Sequence, residues 1–127
     1  MALLSEMPRI FWAGDSTVKQ NDFTSYPQCG IGQGFSLFVK KEILIVNRAE
    51  NGRSTKSFID EGRLEFIKEN IRKGDFLFIQ FGHNDEKNDP LRYTDPQTTF
   101  KENLRTFIDT ARNAGAYPLL ITPLYRR

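Results

Sequence analysis

Residues 75–85 read DFLFIQFGHND. Phe76 to Phe81 is apolar almost without interruption, and the run then drops into glycine, histidine, asparagine and aspartate. A strand with one wet face alternates, whereas a strand covered on both faces of a parallel sheet reads as a continuous apolar run. Three other stretches share this form. Ile10-Phe11-Trp12 ends at Gly14. Ile43-Leu44-Ile45-Val46, rich in β-branched residues, ends in the polar loop Asn47 to Ser54. Pro118-Leu119-Leu120-Ile121-Thr122 ends at Pro123.

Helical patterns lie between these runs. Phe100, Leu104, Phe107, Ile108 and Ala111 form one apolar stripe, with Asp95 as its expected cap, Pro96 at its first position and Gly115 at its exit. Leu64, Ile67 and Ile71 form a shorter stripe that stops at Lys73-Gly74, and Phe35, Phe38 and Val39 suggest a helix after a glycine-rich stretch. Strand and helix alternate throughout, which predicts a doubly wound, flavodoxin-like α/β fold: a parallel sheet with helices on both faces, one domain over 1–127, stopping after its fourth strand.

Composition excludes several function classes. Lys plus Arg number 18 and Asp plus Glu 16, so the net charge of +2 offers no broad basic field for nucleic acid. No run of about 18 apolar residues is present to span a membrane. The opening MALLSEMPRI lacks the basic start and long apolar centre of a signal peptide. Cys29 is the single cysteine, so no internal disulfide forms; this suits a reducing, cytoplasmic setting.

The predicted fold places ligands beyond the carboxyl ends of the strands. There the first three strands run into Gly14-Asp15-Ser16-Thr17, into Asn47-Arg48-Ala49-Glu50-Asn51-Gly52-Arg53-Ser54-Thr55, and into Gly82-His83-Asn84-Asp85. Serine, backbone donors and an asparagine are the equipment of acyl transfer. Ser16 would attack, and the N–H groups of Ser16 and Gly52 with the Asn84 amide would hold the oxyanion. Each feature also has a plainer reading: Ser16 as a helix cap, Asp15 as a loop-ordering residue, Asn84-Asp85 as an ordinary turn. Gly30-Ile31-Gly32-Gln33-Gly34 follows no strand and has the wrong spacing for a dinucleotide loop, so no cofactor is expected. Asp85, Glu86 and Asp89 around His83 lack a calcium-loop pattern, so no metal is expected either. Cys29 has no histidine near it in sequence and reads as a packed or partly exposed side chain rather than a nucleophile.

Taken in order, GDST, the glycine loop and GHND resemble the first three blocks of the SGNH (GDSL-type) hydrolases, and in detail the rhamnogalacturonan acetylesterase-like branch. The resemblance implies Ser16 as nucleophile and Gly52 and Asn84 as oxyanion donors, with Asp15, His83 and Asp85 in support. It implies a serine esterase acting on an acylated small molecule or oligosaccharide derived from pectin. The family's base lies in a D-x-x-H block after a fifth strand, and no D-x-x-H occurs here. His83 belongs to the GHND loop, beside an oxyanion residue, and is not that base; a dyad with Lys56 or Lys19 is the thinner alternative. Two other readings follow: an inactive remnant or binding module that needs a partner chain, and an unrelated flavodoxin-like binding module. An open sheet edge predicts pairing with a second copy.

Overall fold

The structure, a computed structural model, describes residues 7–125. Four parallel strands form one sheet in the order β2-β1-β3-β4: β1 Ile10–Gly14, β2 Ile45–Asn47, β3 Phe76–Gln80 and β4 Tyr117–Leu120. β1 is central, paired with β2 from Ile10↔Ile45 and with β3 from Ile10↔Phe76 to Gly14↔Gln80. The expected strands are present with shifted ends. β2 begins two residues later because Ile43 is held in a turn, its N–H donating to Lys40 O.

Alternation within the strands sorts two apolar layers. Phe11, Ala13, Leu77 and Ile79 face α2 (Thr55–Asp60), α3 (Arg63–Asn70) and α4 (Thr99–Asn113), meeting Phe58, Leu64, Ile67, Phe107 and Ala111. Ile10, Trp12, Phe76 and Phe78 face the other way, toward Val18, Phe35 and Val39. Trp12, Phe35 and Phe78 pack edge to face, with ring centroids 5.0–5.7 Å apart. Among the described residues the second layer is thin, its helical cover being α1 (Ile31–Phe35) and a 3₁₀ turn at Ser36–Phe38. At the far end of the sheet from the candidate site, Asp75 is fully buried and binds Arg9 through its side chain and backbone N–H. That pair joins the entrances of β1 and β3.

Two local expectations change. Asp95 does not cap α4. Its carboxylate takes the N–H groups of Gln97 and Thr98 and builds a turn upstream, so Pro96 lies before the helix and Thr98 becomes the cap residue. α2 was not anticipated. It starts at a reciprocal cap in which Ser54 Oγ accepts from Ser57 N and Ser57 Oγ accepts from Ser54 N. Gly115 does close α4 as expected, with φ +76.

Candidate active site

β1 ends at Gly14 because nothing larger fits there: a Cβ would stand 2.7 Å from Val18 Cγ2 and 3.0 Å from Gln80 O. The chain then turns sharply, with Val18 N and Lys19 N both donating to Asp15 O at 3.0 Å. Asp15 is buried, and its Oδ1 accepts from Thr17 N and Thr17 Oγ1 at 2.8 and 2.6 Å. Ser16 stands at the tip, half-buried, and its Oγ enters no hydrogen bond among the described residues. No helix starts at Ser16; the next helical residues are Phe23–Ser25, capped by Asp22. A capping role therefore has nothing to act on.

The second loop runs on beside β1, Arg48 N donating to Trp12 O and Glu50 N to Gly14 O. Glu50 joins the two loops, since its carboxylate accepts from Lys19 Nζ at 2.6 Å and from Asn51 N at 2.8 Å. Gly52 has φ +74, a left-handed conformation that suits glycine, and the space a Cβ would occupy is open except for Arg92 Nη1 at 3.9 Å.

The third loop is fastened to the second. Asn84 Nδ2 donates to Arg53 O at 3.0 Å, while Arg92 Nη1 makes a long, 3.4 Å contact with Asn84 Oδ1. An acceptor at one end of the amide and a donor at the other fix which way it points, and among the described residues one Nδ2 hydrogen has no partner. Arg92 is in turn held by Asp89 at 2.8 Å. Asp85 is buried and faces inward, accepting from Thr55 N, Thr55 Oγ1 and Thr94 Oγ1. Burial pushes its pKa above the ordinary carboxylate value, against the pull of the two threonines. Asp85 thus locks the start of α2 to the GHND loop.

His83 is half-buried; its Nε2 is enclosed with no hydrogen-bond partner among the described residues, and no hydrogen bond joins it to Ser16. Lys19 is engaged by Glu50 and Lys56 donates to Pro90 O, so both lysines of the alternative dyad are occupied elsewhere. Gly30 and Gly32 serve close packing: Cβ atoms there would stand 2.3 Å from Lys19 O and 2.7 Å from Val18 O. Among the described residues no group of three His, Cys, Asp or Glu side chains could hold a metal, and no helix is long and apolar enough to cross a membrane. Cys29 is exposed. Arg92, Thr55 and Thr94 were not foreseen. Their partners are remote in sequence, and only the fold brings them together.

A parallel sheet whose first three strands feed a serine turn, a glycine loop and an asparagine loop at one edge is the fold of the SGNH-type α/β hydrolases. No family model matches the sequence. The chain is 50% identical over 118 residues to the probable rhamnogalacturonan acetylesterase YesY of Bacillus subtilis (strain 168), covering 92% of this chain and 54% of the relative. It is 46% identical over 119 residues to the rhamnogalacturonan acetylesterase RhgT of the same organism, covering 94% and 50%. The crystal structure of the B. subtilis protein YxiM superposes with a TM-score of 0.79 at 32% identity, covering 94% of this chain and 33% of that one. The chain is a homologue of proteins named as rhamnogalacturonan acetylesterases, one of them as probable. It spans about half the length of these curated relatives.

Proposed function

We propose that these residues form the nucleophile and oxyanion part of a serine esterase that removes acetyl or other short acyl groups from a pectin-derived carbohydrate. The observation that carries this reading is the fastening of the three loops at one sheet edge: Glu50 joins the Ser16 turn to the Gly52 loop, and Asn84 is bonded to Arg53 beside Gly52. Ser16 Oγ attacks the acyl carbonyl, the sugar hydroxyl leaves, and water then releases the acyl group from the serine. The N–H groups of Ser16 and Gly52 and the free Nδ2 hydrogen of Asn84 take the negative oxygen. Asp15, His83 and Asp85 shape the loops. The base is the D-x-x-H element that the family resemblance implies and this sequence lacks, so the 127 residues alone turn over slowly. Loss of a triad member costs on the order of 10⁴–10⁶ in kcat in serine proteases. The test is a chromogenic acetyl ester assayed with the chain and with Ser16→Ala. Near-background rates in both are expected; rapid turnover lost only in the variant would overturn the reading that the base is missing.

A second reading has its own observation. β4 is an edge strand, and Tyr117, Leu119 and Leu120 on it are 47–60% exposed. A second copy covering this edge makes the chain a homodimer in a cytoplasmic setting, with no membrane or nucleic-acid partner. Sedimentation at micromolar concentration decides it, a stable monomer counting against the pairing.

A further inference from the structure

A cavity of about 600 Å³ lies beside the serine turn, lined by residues between Gln20 and Gln33 that the acyl-transfer chemistry leaves unused. The loop forming it is built onto that turn at both ends. It leaves at Lys19 and returns at Gly30, which packs against Lys19 O, and Ile31 N donates to Thr17 O at 2.7 Å. Its shape is fixed from within. The Gln33 side chain bridges Asn21 in both directions, accepting from Asn21 N at 2.9 Å and donating to Asn21 O at 3.1 Å. Asp22 accepts from Thr24 N and Thr24 Oγ1, capping the 3₁₀ turn.

This ordered loop nevertheless holds Phe23 97% exposed and Tyr26 83% exposed at the cavity. Two bare aromatic faces in a concave, pinned setting are surface for an apolar plane to cover. The polar groups beside them are the side-chain amides of Gln20, Asn21, Gln28 and Gln33. Gln33 is spent on Asn21. Asn21, whose Nδ2 donates to Lys19 O, keeps its Oδ1 and second Nδ2 hydrogen for a ligand, and Gln28 can donate and accept. The one charged lining residue is Asp22, a carboxylate, with no lysine or arginine in the lining. A pyranose ring has the complementary chemistry: an apolar C–H face and a rim of hydroxyls. The single carboxylate in the lining, with no cation beside it, disfavours a sugar that itself carries a carboxylate.

We infer that this cavity is a subsite for a neutral pyranose residue of the substrate, its ring face on Tyr26 and Phe23 and its hydroxyls on the Asn21 and Gln28 amides. The inference rests on the carbohydrate-ester reading, and its test separates the two. The chain is titrated with methyl rhamnoside, a neutral unacetylated probe, and its backbone amide signals are followed by NMR; no turnover is needed. Signals of residues 20–33 shift, and the double variant Phe23→Ala/Tyr26→Ala, altered only at exposed positions, weakens the response about tenfold. Absent shifts, shifts unchanged in a double variant whose other signals stay in place, or an equal response to galacturonate overturn the subsite. Reaction of Ser16 with a phosphonate ester, measured on the same sample, reports the esterase reading by itself. A reactive serine with no sugar response sinks the subsite alone; a sugar response supports the subsite whether or not the serine reacts, since a serine without its base is expected to react slowly.

Discussion

At the scale of single residues, the side chains around Asn84 divide into those that aim it and those that hold its loop. Arg92 aims it. Replacing Arg92 with Gln removes the charged donor at Asn84 Oδ1, and the Asn84 side-chain amide signals in an NMR spectrum are expected to shift and broaden as the group begins to turn; sharp, unmoved signals would show that Arg53 O suffices. Asp85 holds the loop. Asp85→Asn sets an amide N–H against Thr55 N, which now donates to Asp85 Oδ2, and costs about 1–3 kcal/mol in urea denaturation. The pH dependence has a definite sign. Burial raises the folded pKa of Asp85 above 3.8, so its titration contributes stability that is complete below that value and lost as pH rises through the raised one. The wild type loses this contribution and the variant has none to lose, so the gap between their stabilities narrows with rising pH. A gap that widens would contradict a raised pKa.

At the scale of elements, stretches that carry their own pattern were readable in advance. β1 and β3 announce themselves as unbroken apolar runs, and α4 as a stripe whose Phe107 meets Phe58 and Phe81 in the core. Phe107→Ala is expected to cost about 3–5 kcal/mol, read from denaturant midpoints. α2 carries no such stripe; its first turn is Thr55-Lys56-Ser57, and it exists because Ser54 caps it and Asp85 anchors it. The same limit applies to the candidate site. Ser16, Gly52 and Asn84 could be proposed from motif order, whereas Arg92 and Thr55 enter only through partners that the sheet delivers. Glycines show the contrast within one short segment. Gly30→Ala drives a Cβ into backbone 2.3 Å away and should destabilise strongly, while Gly34, with nothing within 4 Å, should gain about 0.5–1 kcal/mol as Ala. Equal urea midpoints for the two variants would refute the packing role assigned to Gly30.

At the scale of the whole molecule, one face of the sheet is deeply covered and the other thinly, and β2 and β4 are its two edges among the described residues. β1 is enclosed by β2 and β3, and three helices bury one face, but β4 has a neighbour along only one edge. Leu119→Lys places a charge on that exposed strand and is expected to hold the chain monomeric in sedimentation without lowering its melting temperature. A dimer that survives the substitution would move the contact elsewhere. One junction links this edge to the chemistry. Gly82, at φ +156, leaves room for Pro123, whose Cγ would lie 2.9 Å from any Cβ there, and Gln80 Nε2 donates to Thr122 O at 2.8 Å. The chain leaving β4 therefore rests its full width against the peptide two residues before Asn84. Whatever displaces the chain at Pro123 presses first on Gly82, and the loop that carries Asn84 is the next stretch of backbone to feel it.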